Sequence, residues 1–74
     1  MSDFAENLRT ALDRSGMTQR QLADRLGVTE VTISRYVRGD RRPRCNILYD
    51  ISKALGVPVV FLLKGEEEPQ NMWK

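Results

Sequence analysis

Arg35, Arg38, Arg41, Arg42 and Arg44 fall within ten residues of one another, with Asp40 the only acid among them. A guanidinium is planar, permanently charged and carries a fork of donors that matches a phosphate, so such a run is either a solvated face or a phosphate grip. Overlapping it, Thr29, Glu30, Val31, Thr32 and Arg35 combine hydroxyls, a carboxylate, an aliphatic branch and a guanidinium. That mixture suits base edges. Arg35 fits guanine O6 and N7, Glu30 accepts from cytosine N4, and Val31 or the Thr32 methyl meets a thymine methyl. Plainer roles stand beside these: Glu30 could serve only to repel wrong sites, and Thr32 could bond within its own helix.

Side chains with such tasks need rigid carriers, and residues 18 to 39 contain two short helices with start and stop signals. Thr18 with Gln21 three positions later spells a capping box, bracketed by Met17 and Leu22 as a hydrophobic staple. Gly27 ends the first helix, and only Val28 separates it from Thr29, the next cap. Val28 and Ile33 repeat the staple spacing, and Gly39 is the second stop. Helices of two to three turns do not persist alone in water, so the two must pack, and Ala23 lets them approach. Val28, Ile33 and Tyr36 share the inward face of the second helix, which turns Thr29, Glu30, Val31, Thr32 and Arg35 outward. The whole reads as a helix-turn-helix, whose first helix crosses the nucleic-acid backbone and whose second enters the major groove.

Gln19, Ala23, Gly27 and Ile33 fall where the phage repressor and Cro-like helix-turn-helix family carries its Gln, Ala, Gly and apolar markers. Arg38-Gly39, Pro43, Leu48, Ile51 and Ala54-Leu55-Gly56-Val57 also resemble that family's third-to-fourth helix region. The resemblance covers residues 4 to 65 and implies a lambda-repressor-like DNA-binding fold acting as a two-fold dimer on a palindromic operator. It also implies that Gln19 touches a phosphate and steadies its neighbours. Thr18, Arg20, Thr29, Arg38, Arg41, Arg42 and Arg44 are the other candidates for the DNA backbone, with Arg42 or Arg44 able to reach a minor groove narrowed by A·T sequence. Two departures stand out. Arg44 occupies a position where the family commonly has a Ser or Thr cap, so the fourth helix is expected to start nearer Asn46. Leu12 and Val37 replace a charged pair, and any contact between them is apolar.

The remaining elements follow from spacing. Phe4, Leu8, Ala11 and Leu12 form one stripe of a first helix, capped by Ser2 or Asp3 and ended by Gly16. Ile47, Leu48, Ile51, Ala54 and Leu55 form the inward face of a fourth helix closed by Gly56. Pro58 suits the first helical position of a fifth, Val59 to Lys64, stopped by Gly65. The expectation is an all-α, compact five-helix domain over residues 1–65 with a central helix-turn-helix, and an acidic, mobile tail over residues 66–74. Val59 to Leu63 are apolar on every side, more than so short a helix can bury alone. A homodimer surface at Val59, Val60 and Leu63 is therefore expected, with Met72 and Trp73 adding to it. Cys45 is expected as a small buried hydrophobe and Tyr49 as a packing residue with a wet hydroxyl.

A chain of 74 residues with a net charge of +2 is one small domain. No stretch reaches the roughly 20 apolar residues of a membrane span, and the start lacks a signal peptide's basic segment, so a cytoplasmic protein without membrane contact is expected. One cysteine and no histidine leave no disulfide, zinc site or cofactor in view. Without a histidine, a Gly-rich phosphate loop or paired carboxylates, an enzyme is not expected. The reading is a sequence-specific transcriptional regulator, a repressor in the first instance, partnered by double-stranded DNA and a second copy of itself. RNA polymerase is an open further partner, and no small-molecule ligand is expected. The alternative is an antitoxin or another protein-interaction helix-turn-helix module, for which the nine-residue tail offers little toxin-binding surface.

Overall fold

The computed structural model describes residues 3–65, and these form five helices. They are α1 (Phe4–Ser15), α2 (Gln19–Leu26), α3 (Glu30–Arg38), α4 (Cys45–Leu55) and α5 (Val59–Lys64). No strand occurs among the described residues. The tail 66–74, with Met72 and Trp73, and the alternative cap Ser2 lie outside them.

Local signals set the helix ends. Asp3 caps α1 by accepting from the Glu6 N–H at 2.9 Å. At α2 the capping box closes in both directions: Thr18 accepts from the Gln21 N–H at 3.0 Å, and the Gln21 side chain accepts from the Thr18 N–H at 2.9 Å. Thr29 caps α3 through the Thr32 N–H at 3.2 Å. Gly39 ends α3 at φ 82°, a left-handed conformation that carries a steric cost for any residue with a Cβ.

Each helix sends one side chain to a common centre: Leu8, Leu22, Ile33, Ile51 and Leu62 have essentially no exposed surface. Around them lie Phe4, Ala11, Leu12, Ala23, Tyr36, Val37, Leu55 and Phe61. Leu12 and Val37 both belong to this core. The Phe4 and Tyr36 rings meet edge to face at 6.4 Å, tying α1 to α3. α2 packs on α3 and α4, while α5 packs on α1 and α4.

Four expectations need correction. α4 begins at Cys45, not nearer Asn46, with Arg44 as a cap that makes no side-chain hydrogen bond. Cys45 is exposed, because α4 becomes covered only from Ile47 onward. Tyr49 is 56% exposed: it projects away from the face that buries Ile51, and the Lys53 ammonium lies 5.3 Å from its ring centroid. Pro58 is the cap of α5, at ψ 152°, and Val59 is the first helical residue, since the extended backbone of Pro58 precedes the helix.

Candidate nucleic-acid interface

The outer face of α3 carries Glu30, Val31 and Arg35, all exposed. Val31 is the most exposed large hydrophobic residue described, at 59%. The three can project outward because Ile33, Tyr36 and Val37 occupy the buried side of the same helix. Thr32 differs from them. It is half-buried, and its hydroxyl lies 3.0 Å from that of Thr29. The Thr29 oxygen also receives the Thr32 N–H, so the two hydroxyls form one unit at the start of α3. The Thr32 hydroxyl is thus engaged with the cap side chain rather than with the helix backbone.

Thr18 and the half-buried Gln19 sit at the start of α2, where unpaired helix N–H groups favour anions. They line a shallow hollow together with Arg9, Leu12 and Val37, so the start of α2 and the end of α3 meet beside α1. Arg20 is exposed one residue further on. Arg38, Arg41, Arg42 and Arg44 are all exposed along the path from α3 to α4. Arg38 pairs with Asp40. Arg41 and Arg42 line a second hollow with Asp3, Phe4 and Gly39. Arg44 precedes the first turn of α4, which no side chain caps. The start of α4 thus joins an uncapped helix N-terminus to the arginine run.

Arg9 was not a sequence candidate. Its terminal nitrogen Nη1 donates to the carbonyl of Val37 in the last turn of α3, one of the carbonyls a helix cannot satisfy internally. A signal existed, because Arg9 and Leu12 are three apart on α1 and share a face. The acceptor is the backbone of Val37, not its side chain. Asp40, the one acid in the arginine run, pairs with Arg38, which composition alone does not indicate.

The expected dimer residues lie apart from these groups. Phe61 and Leu62 are buried, Val59 and Val60 are half-buried, and Leu63 is 42% exposed. They belong to α5, the helix supported by α1 and α4.

Residues 8–62 match the helix-turn-helix family model. The chain belongs to the helix-turn-helix family. It is 40% identical over 63 residues to the HTH-type transcriptional regulator YqaE of Bacillus subtilis, covering 85% of this chain and 54% of that protein. It is 38% identical over 67 residues to the HTH-type transcriptional regulator DicA of Escherichia coli, covering 90% of this chain and 50% of that protein. The chain thus spans about half the length of these helix-turn-helix relatives. Among solved structures it resembles the P22 c2 repressor in complex with a synthetic operator. The TM-score is 0.82 and the identity 30%, covering 89% of this chain and all of that one. The five-helix architecture is thus the repressor-type DNA-binding fold that helix-turn-helix transcriptional regulators carry.

Proposed function

We propose that this domain binds double-stranded DNA sequence-specifically as a homodimer on a palindromic operator, and that it represses transcription in the cytoplasm. α3 enters the major groove. Glu30, Val31, Thr32 and Arg35 read bases, while Thr18, Gln19, Arg20, Thr29, Arg38, Arg41, Arg42 and Arg44 hold the backbone. Arg9 joins the backbone group through the hollow it shares with Gln19. The observation that carries this reading is the exposed Val31 between exposed Glu30 and the outward face ending at Arg35. An aliphatic group held at 59% exposure on a rigid helix is costly to hydrate and suited to a thymine methyl. The P22 c2 repressor, similar over 89% of this chain, is solved on an operator, which supports the docking mode.

The dimer places Val59, Val60 and Leu63 against their counterparts, with recognition helices about 34 Å apart. Support comes from the 42% exposure of Leu63 beside two half-buried valines. No helix among the described residues is long and apolar enough to cross a membrane.

Selection of bound sites from random duplex DNA tests the proposal, first with the natural chain and then with Arg35→Ala. A symmetric consensus for the former and relaxed preference at one base pair per half-site for the latter are expected. Recovery of unselected DNA would remove the sequence-reading role, and uniform weakening by Arg35→Ala would move Arg35 to the backbone group.

A further inference from the structure

Asp40 is the only acid between Glu30 and Asp50, and it stands among five arginines. Its backbone is pinned, since its N–H donates to the Arg35 carbonyl at 2.9 Å and so closes α3 just beyond Gly39. From that fixed point its Oδ2 lies 3.2 Å from Nε of Arg38. Both side chains are 61% exposed, so the pair contributes little to folding stability. Its geometry is more informative. A guanidinium can meet an oxyanion along a side edge that includes Nε, or along an end edge formed by its two terminal nitrogens. The Asp40 carboxylate forms an ion pair on the Nε side of Arg38, and among the described residues no acceptor is paired with the terminal nitrogens.

We infer that Asp40 is a positioning residue, which holds Arg38 by Nε so that the terminal nitrogens of Arg38 meet one operator phosphate in a fixed orientation. The inference rests on the DNA-binding reading above and adds a determinant of specificity to it. Ordering a long side chain at an interface opposes binding, and Asp40 orders Arg38 before DNA arrives. Loose, sequence-independent binding depends on the count of positive charges and needs no fixed geometry, so for that mode a carboxylate is only a subtraction. Removing Asp40 must therefore move the two modes in opposite directions.

The test measures binding of the full chain to its selected operator and to an unrelated duplex of equal length, across a salt series. Asp40→Ala is expected to weaken operator binding about two- to tenfold per protomer despite the gain in net positive charge, while the unrelated duplex binds equally or more tightly. Asp40→Asn keeps the shape but removes the charge of the ion pair, and is expected to weaken operator binding in the same direction as Asp40→Ala. In an Arg38→Ala background, Asp40→Ala is expected no longer to weaken operator binding, leaving only the gain from added positive charge. Tighter binding of both duplexes by Asp40→Ala would show charge screening alone and overturn the inference. So would an unchanged ratio of the two affinities, or a loss on both duplexes that tracks a lower melting temperature. A natural chain that fails to distinguish the duplexes overturns the DNA-reading proposal as well. That result is separate from a natural chain and an Asp40→Ala variant that discriminate equally, which removes only Asp40.

Discussion

The side-chain amide of Asn7 donates to the backbone carbonyl of Leu62 at 3.0 Å, with Asn7 only 4% exposed. Leu62 lies in the last turn of a six-residue helix, where carbonyls lack partners within the helix. A polar side chain in the core of α1 thus completes the end of α5. Asn7→Ala should remove the donor that the described residues give this buried carbonyl and cost about 1 to 3 kcal/mol. For a domain of this size each kcal/mol lowers the melting temperature by roughly 4 to 8 °C, which calorimetry would resolve.

Leu22 and Val31 separate folding from recognition. Leu22→Ala removes a side chain with no exposed surface and should cost about 2 to 5 kcal/mol, a large share of what so small a core supplies. Val31→Ala alters a side chain that is 59% exposed and should change stability by less than about 0.5 kcal/mol. Denaturant titration should show that contrast, and operator binding should still fall in Val31→Ala. Unchanged binding would take Val31 out of the reading face.

Gly39→Ala tests the end of α3. A Cβ there would stand 3.4 Å from that of Ala5, an ordinary contact, so the cost arises from φ 82° and not from crowding. A loss of about 1 to 2 kcal/mol is expected in thermal unfolding.

Salt dependence reads the phosphate grip. If eight phosphates are neutralised per dimer, log affinity should fall against log salt with a slope of about −7. Arg42→Ala should make that slope shallower by about 2 per dimer, with the base preferences unchanged in a competition assay. A flat dependence in the natural chain would remove the backbone assignment for the whole arginine run.

Leu63→Glu tests the pairing of two copies. Because Leu63 is 42% exposed, the domain should stay folded by circular dichroism. Sedimentation should then show a monomer where the natural chain, at tens of micromolar, sediments as a dimer. A natural chain that is already a compact monomer at that concentration would refute the α5 interface.

The caps and the core were legible in the sequence because both are written in short-range spacing. Thr18 and Gln21 stand three residues apart, and the buried faces of α1 and α4 follow the helical period. The four helix-turn-helix markers likewise sit at fixed offsets. Apart from the Arg38–Asp40 pair, the bonds that are not legible have as acceptor a main-chain carbonyl far along the chain. Arg9 reaches Val37 across 28 positions and Asn7 reaches Leu62 across 55, and a carbonyl has no residue identity to betray it. Cys45 was misjudged for another reason: periodicity assigns a face to a residue, but not whether a neighbouring helix extends far enough to cover it.

Three side chains of α1 grip two other helices. Arg9 holds the end of α3, Asn7 holds the end of α5, and the Arg14 guanidinium lies 5.1 Å from the ring centroid of Phe61 in α5. The α3 contact thus lies between the two α5 contacts along α1, so the three helices are linked through one short stretch. In the proposed dimer, α1 would therefore act as a ruler between the groove-facing helix and the two-fold axis. An extra base pair between half-sites, about 3.4 Å of rise, would then be expected to be taken up by the duplex or by the α5 contact before these α1 contacts break.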